Sequence, residues 1–384
     1  MPGVRAVRVG AVRMRADRQA DGRTGGREVR PPQLPLLPFA SSPVRPSTLA
    51  VLDQRLRGTT FVQLSARSVL NSPQQTGVGF WSLNPYVGCE FGCTYCYARY
   101  AHRYVVERAR DAGKLSRPEF RDFRGTHGWE AFERRIFVKE DLLGALERDL
   151  QRYFRSGRPP DPPTAPIVIG TATDPYQPGE RRFRVTRQVL ERLARCEGLN
   201  IGLITKSPLV ARDIDVLQRI GARNDLEVHV SLTTVDSGII RRLEARSPMP
   251  AARLRALHKL TAAGVNAGLI VAPVLPGITD DVPHLEALFQ EAREAGARFI
   301  HAGPLRLYAA VRERFLPVLD EHFPHLSERY RRAYARASNA PRPYAAALAR
   351  RVRRLQRRFG FPENEGMRGR YGRRLPPAQG ALDL

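Results

Sequence analysis

The sequence predicts an α/β fold, a parallel sheet curled into a barrel or part of one. Between Phe61 and Leu307 short β-branched runs alternate with helical segments, and strands that repeatedly alternate with crossover helices make a parallel sheet. Six such units occur, and right-handed crossovers curl them round. Three cysteines also cluster directly after the first strand, at the end of the sheet where parallel barrels place their active sites.

Residues 1–46 are dominated by Arg, Gly and Pro, show no apolar period and read as a disordered segment. Asp17, Asp21, Glu28 and many glycines argue against a transit peptide, and Arg stands where a secretory signal carries its apolar stretch. Met14 is an alternative start. The core barrel is expected over residues 60–310. Its predicted strands are Phe80–Tyr86, Ile167–Thr173, Asn200–Thr205, Glu227–Thr234, Asn266–Ala272 and Phe299–Gly303. Its predicted helices are Leu142–Phe154, Thr186–Arg195, Val210–Ile220, Ser237–Glu244, Ala252–Ala263 and Val282–Ala295. Residues 318–360 read as a basic helical extension. Tyr330, Tyr334, Leu348, Val352 and Leu355 are spaced for an amphipathic pair, with Pro341 and Pro343 at the break. Residues 361–384 are rich in Gly, Pro and Arg and read as a flexible tail.

With 384 residues, 42% apolar and 26% charged, the chain can bury a globular core. No run reaches the roughly 18 apolar residues of a membrane span, and the longest candidate, Gly268 to Pro276, is broken by prolines. No membrane partner is expected. Four cysteines exclude a disulfide scaffold, and a reducing cytoplasm is the expected compartment. The formal charge is +25. Residues 1–30 carry eight Arg against three acids, and residues 328–374 fifteen Arg against three acids. Only four lysines occur (Lys114, Lys139, Lys206 and Lys259), a bias that suggests a GC-rich bacterial genome and some codon drift. A charge of this size still attracts a polyanion. Nucleic acid is therefore the expected partner of the basic tails, with a solvated face as the alternative.

The cysteines stand in Gly88-Cys89-Glu90-Phe91-Gly92-Cys93-Thr94-Tyr95-Cys96-Tyr97, a C-x3-C-x2-C spacing. Three thiolates on a tight loop can ligate three irons of a cubane [4Fe–4S] cluster, and Gly88 and Gly92 let the backbone bend around it. The fourth iron stays open to an exogenous ligand. The alternative, a zinc knuckle, wants four ligands at two paired spacings. Cys196, a hundred residues on and within a predicted helix, is the one other thiol.

With Tyr95 before the third cysteine, the motif resembles the radical S-adenosylmethionine (SAM) superfamily signature, C-x3-C-x-aromatic-C. The resemblance implies a radical SAM partial (β/α)6 TIM-like barrel holding a [4Fe–4S] cluster whose open iron is chelated by the amine and carboxylate of SAM. One electron, expected from a flavodoxin or ferredoxin, would split the sulfonium C–S bond into methionine and a 5′-deoxyadenosyl radical that takes hydrogen from a C–H bond. The cofactors supply that hard step and the protein supplies positioning.

Each later predicted strand also ends in polar residues. After the second come Thr171, Thr173 and Asp174, able to accept from an ammonium group or simply to close a turn. The third ends in Lys206, which needs an anion such as the SAM carboxylate, or only solvent. On the fourth, Ser231 and Thr233 face one side at period two, suited to ribose hydroxyls or the carboxylate. Arg246 follows the next helix as a further candidate or a solvated helix-end Arg. The apolar rim from Ile270 to Gly277 suits adenine or plain core, and His301 either faces substrate or is structural.

The match extends further. Asn84-Pro85-Tyr86-Val87-Gly88-Cys89, Phe137-Val138-Lys139, Thr173-Asp174-Pro175-Tyr176-Gln177-Pro178, Thr205-Lys206-Ser207, Arg212-Asp213, and Ala272-Pro273 through Pro276-Gly277 recur together. Over roughly residues 60–310 they resemble the spore-photoproduct-lyase-like group, the "DNA repair photolyase" proteins of Rv2578c type. The resemblance implies Cys89, Cys93 and Cys96 as cluster ligands. It implies Tyr95 and Tyr97 as catalytic aromatics near SAM, the latter in radical relay, and Thr173, Asp174, Lys206 and Ser231 as SAM neighbours. One departure matters. The lyase returns hydrogen from a Cys at the end of strand two, where this chain has Thr171, and a hydroxyl O–H bond is too strong for that role. The sequence thus points to a radical SAM enzyme of lyase or transferase type, with nucleic acid as the expected substrate and a protein or small metabolite as the alternative within that chemistry. The alternative from another class is a non-catalytic nucleic-acid-binding protein with a structural metal knuckle, which has no need of Asp174, Lys206 and Ser231 ringing one barrel mouth.

Overall fold

The computed structural model describes residues 51–363 apart from 55–57, 78, 114, 125–127 and 157–164. The segment read as disordered (1–46) and residues 364–384 of the tail lie outside the described residues.

The described strands are β1 (Val51–Gln54), β2 (Thr60–Ser65), β3 (Leu70–Asn71), β4 (Trp81–Leu83), β5 (Tyr86–Val87), β6 (Arg135–Glu140), β7 (Ile167–Ile169), β8 (Asn200–Thr205), β9 (Asp225–Ser231), β10 (Ala267–Val274) and β11 (Ile300–Pro304). They form a seven-stranded sheet in the order β11-β10-β9-β8-β7-β4-β3 and a four-stranded sheet in the order β1-β2-β6-β5. The six predicted strands are β4 and β7 to β11, and every neighbouring pair among them is parallel. Short β3 pairs antiparallel at one edge. The second sheet was not foreseen. In it β2 and β6 run parallel over Thr60–Ser65 and Arg135–Glu140, and the helix Gly128–Arg134 passes into β6 with no turn residue to announce the change.

Helices Val185–Leu193, Ile214–Gly221, Pro250–Ala262 and Val282–Glu294 lie on the crossovers of the larger sheet. The expected helix Val210–Ile220 begins as a 3-10 turn, Pro208–Asp213, capped by the Ser207 hydroxyl accepting from the Leu209 N–H. Period two then separates the faces of the sheet. One face carries Leu83, Ile169, Leu203, Val228, Leu269 and Ile300, all buried in one cluster with the helix residues Val189, Leu217, Leu257 and Leu288. Each such side chain contributes about 1.5–3 kcal/mol by leaving water. The register puts Ser82, Val168, Gly202 and Glu227 in one row of the opposite, inner face. Ile204, His229 and Gly268 form the next row, then Ser231, Ile270 and His301.

The C-terminal region is helical, as expected, over Ala309–His322, Pro324–Ala333 and Arg342–Phe359. The last helix buries Leu348, Val352 and Leu355 in the main core, and Gln356 Nε2 donates to the Ile300 carbonyl at 2.9 Å. It therefore covers edge strand β11 and leaves Arg342, Arg350, Arg353, Arg354, Arg357 and Arg358 exposed. Tyr330 and Tyr334 join a second apolar cluster, with Phe315 and Leu326, that also contains Cys89, Phe91, Cys93 and Tyr95. Among the described residues no helix is long and apolar enough to cross a membrane.

Candidate active site

The cysteine loop leaves β5 and is held from several directions. Gly88 and Gly92 have φ of +90° and +65°. A Cβ on Gly88 would sit 2.8 Å from the Phe132 carbonyl, and one on Gly92 2.8 Å from the Arg246 guanidinium, so glycine is required for shape and for space. The Cys89 N–H donates to Phe132 O at 2.9 Å and the Thr94 N–H to Leu243 O at 2.9 Å. The Gly88 carbonyl accepts from Thr173 Oγ1 at 2.6 Å and Gln177 Nε2 at 3.2 Å. The Glu90 N–H donates to Gln177 Oε1 at 3.0 Å, and the Glu90 carboxylate accepts from the Gly179 N–H at 2.7 Å. Arg99 reaches the Cys93 carbonyl at 2.6 Å and the Glu133 carboxylate at 2.7 Å. Arg246 donates to Glu90 O and to Glu133, each at 2.6 Å.

Beside the loop, the β9 side of the mouth holds a buried charge network. Lys206 Nζ lies 3.0 Å from Ser231 Oγ and 3.4 Å from both the Tyr95 hydroxyl and Glu244 Oε1. The Tyr95 hydroxyl bonds Thr233 Oγ1 at 2.9 Å and donates to Glu244. Arg253 and Ser247 donate to the other Glu244 oxygen. Burial would raise the Glu244 pKa, but the Arg253 and Lys206 charges hold it well below the usual carboxylate range. Burial, then the Glu244 charge, pushes the Tyr95 phenol well up, so it stays protonated. The arrangement keeps one carboxylate and two cations fixed beside the loop with little water to screen them.

On the β7 side, Asp174 accepts from Thr205 Oγ1 at 2.7 Å, the Lys206 N–H at 2.7 Å and the Tyr176 N–H at 2.9 Å. It thereby pins the backbone of the residue that carries the lysine. The Thr171 hydroxyl lies 2.5 Å from Ser82 Oγ and accepts from Asn84 Nδ2 at 3.1 Å. The Tyr97 hydroxyl donates to the Thr171 carbonyl at 2.5 Å, while the Tyr97 side chain is 45% exposed. The Tyr97 hydroxyl thus sits beside the position where the sequence departs from the lyase pattern.

The structure brings Tyr95, Lys206, Ser231 and Thr233 into one network and places Thr173, Asp174 and Arg246 as supports around the loop and Lys206. Tyr97 lies at the mouth. His301 lies elsewhere on the inner face, against Phe299 and His229 at ring distances of 5.0 and 5.4 Å. Cys196 packs in the main core with Arg192 Nη1 at 3.1 Å from its sulfur, while Cys89 and Cys93 belong to the other cluster. Sequence reasoning missed Glu244, Arg253, Glu133, Arg99 and Gln177. Glu244 stands two residues before Arg246 at a helix end, and nothing local marks it off from a solvated acid.

The loop fits a cubane cluster. None of the four cysteines forms a disulfide. Burial raises the pKa of Cys89, Cys93 and Cys96, with other thiols of the trio adding to each of the first two, and a bound cation is what turns such thiols into thiolates. The three sulfurs do not gather with all of them within 4.8 Å of one another, as another set of residues does.

The radical SAM superfamily model matches residues 83–289. The Mycobacterium tuberculosis protein Rv2578c is 31% identical over 298 residues, 77% of this chain and 79% of that one. The Methanocaldococcus jannaschii protein MJ0683 is 24% identical over 57% of this chain and 69% of its own. A spore photoproduct lyase variant solved with bound AdoMet and dinucleoside spore photoproduct superposes with a TM-score of 0.56 at 16% identity, covering 79% of this chain and 80% of that one. Spore photoproduct lyase complexed with dinucleoside spore photoproduct gives a TM-score of 0.53. With the loop and its supports in place, these matches make the conclusion plain: the chain belongs to the radical SAM superfamily and is a radical-generating enzyme.

Proposed function

We propose that this enzyme cleaves SAM reductively at a [4Fe–4S] cluster held by Cys89, Cys93 and Cys96, and acts on a substrate of the nucleic-acid class. One observation carries the reading: two buried thiols and one half-buried thiol share a glycine-shaped loop close enough to Lys206 and Glu244 for their charges to act on Cys93. When bound, the cluster and SAM supply an electron and a carbon radical able to take hydrogen from a C–H bond.

The chain's own residues bind and orient. Lys206 offers its ammonium to the SAM carboxylate, and Glu244, held ionised by Arg253, fixes that ammonium in place. Ser231 and Thr233 present hydroxyls for the ribose, and exposed Ala272 on β10 gives adenine an apolar contact. Thr173, Asp174 and Arg246 position the loop and Lys206. Tyr97, its hydroxyl on the Thr171 carbonyl, is the residue that would relay a radical, and the aliphatic Thr171 hydroxyl would take no part in hydrogen return. The nucleic-acid assignment draws on the net charge of +25, the exposed arginines of the last helix, and the dinucleoside bound by the lyase of similar fold. The electron donor is assigned as an acidic one-electron carrier of the flavodoxin or ferredoxin type, in a reducing cytoplasm.

Anaerobic reconstitution tests the chemistry. The expected result is a brown protein with about four irons per chain that, with dithionite, converts SAM to 5′-deoxyadenosine and methionine. A colourless protein carrying one zinc on the cysteine loop and leaving SAM intact would replace the proposal with a binding protein. For the substrate class, Arg350→Gln, Arg353→Gln and Arg354→Gln together should weaken oligonucleotide binding and shallow its log–log salt slope by about 2–3. An unchanged slope would move the nucleic-acid contacts off this helix.

A further inference from the structure

We propose that Glu227, His229 and His301 form a binding site for one divalent cation of the zinc class on the inner face of the barrel, separate from the cysteine loop. One ligand atom from each residue lies within 4.8 Å of the other two. All three residues are buried, at 2%, 0% and 4% exposure. None of the four imidazole nitrogens of His229 and His301 has a hydrogen-bond partner, although buried polar groups almost always find one.

The spacing is that of ligands rather than of hydrogen-bond partners. His229 Nε2 lies 3.6 Å from Glu227 Oε2, too far for a hydrogen bond. Two ligands at ~2.0–2.1 Å on a tetrahedral ion stand about 3.4 Å apart. Two imidazoles and one carboxylate are a donor set that zinc accepts, with its fourth position left to water or another small ligand. Burial lowers the His229 pKa to about 3, with His301 adding to the effect, and lowers that of His301 to about 4. Both rings are therefore neutral near pH 7, the form that binds metals.

The sheet is built to bring the three together. His229 and His301 come from β9 and β11, with β10 between them, and Gly268 of β10 pairs with His229. Gly268 has no side chain to separate the rings, and a Cβ there would meet the Phe299 carbonyl at 2.2 Å. The Phe299 ring covers both imidazoles at 4.9 and 5.0 Å. Ser231, which touches Lys206, lies two residues beyond His229 along β9 on the same face, and His301 is level with Ser231 across β10, so the site lies directly beneath the network at the mouth. It uses no residue of that network or of the cysteine loop.

The test uses the cluster-loaded full chain, dialysed anaerobically against zinc ion at equal molarity. Metal analysis should find about one zinc per chain in addition to the cluster iron, and the zinc X-ray absorption edge should report nitrogen and oxygen neighbours with no sulfur. His229→Gln and His301→Gln should each lower zinc affinity by more than the roughly 10–100-fold that loss of an outer-sphere partner costs. Iron content and visible cluster absorption should stay unchanged, which also controls for folding. Sulfur around the zinc, or no retained zinc in the unmodified protein, would overturn the proposal. The edge spectrum needs no substitution, so a variant that fails to fold leaves the test intact, and SAM cleavage is read separately.

Discussion

The two faces of the seven-stranded sheet obey different rules. Toward the helices, Ile169, Leu203, Val228 and Leu269 are fully buried and wholly apolar. On the inner face the same strands carry Gly202, Glu227, His229, Ser231, Gly268 and His301 among the aliphatic Val168, Ile204 and Ile270. A fold that needed only stability would fill both faces with aliphatic layers, as parallel barrels commonly do. The outer face holds the wall together, and the inner face is kept for groups that bind or react, with glycines making room for them.

Four substitutions test that division, in falling order of effect. Cys93→Ala should abolish cluster iron and 5′-deoxyadenosine formation while the melting temperature of the metal-free protein moves little. Retained SAM cleavage would break the assignment of the mouth. Glu244→Ala should cost about 3–5 kcal/mol, because Arg253, at 0% exposure, would keep a buried charge without its partner. Urea unfolding measures it, and a loss below 1 kcal/mol would mean that the network carries no structural weight. Leu203→Ala on the outer face should cost about 2–5 kcal/mol, with cluster loading per folded molecule unchanged. A selective loss of cluster there would erase the distinction between the faces.

The smallest effect concerns a polar group in an apolar layer. His102, between Phe132 and Phe137, is lowered to about 4 by burial, while its Nε2 donates to the Arg135 carbonyl. Its folded pKa lies below the unfolded value near 6.5, so the unfolded chain binds the proton more readily between these values. The stability it contributes is full above about pH 6.5 and falls as pH drops toward 4, by at most about 3 kcal/mol. His102→Gln should flatten the pH dependence of urea unfolding in that window by the same amount, and parallel curves would show that burial does not set this pKa.

The outer face was legible in the sequence because its aliphatic runs announce themselves: Asn200–Thr205 appears where expected, and the strand expected over Ile167–Thr173 begins where expected but ends at Ile169, where Gly170 turns the chain. The cysteine loop was legible because its chemistry lies within eight residues. The inner face was not. Glu227-Val228-His229-Val230-Ser231 alternates like a half-solvated strand, yet all five residues are buried. Glu133 and Glu244 were missed because their partners lie far along the chain, Arg99 and Arg246 for one, Lys206 and Tyr95 for the other. The strands β2 and β6 escaped notice because they pair with each other across more than seventy residues.

Glu133 has a consequence for biosynthesis. Its carboxylate is gripped by Arg99 and Arg246 and approached by Arg314 at 3.6 Å, so three distant stretches of polypeptide meet at one acid beside the cysteine loop. A nascent chain still on the ribosome has the thiols long before it has Arg246 or the helix bearing Arg314. The packing behind the cysteine loop is therefore complete only once the chain has been made as far as Arg314.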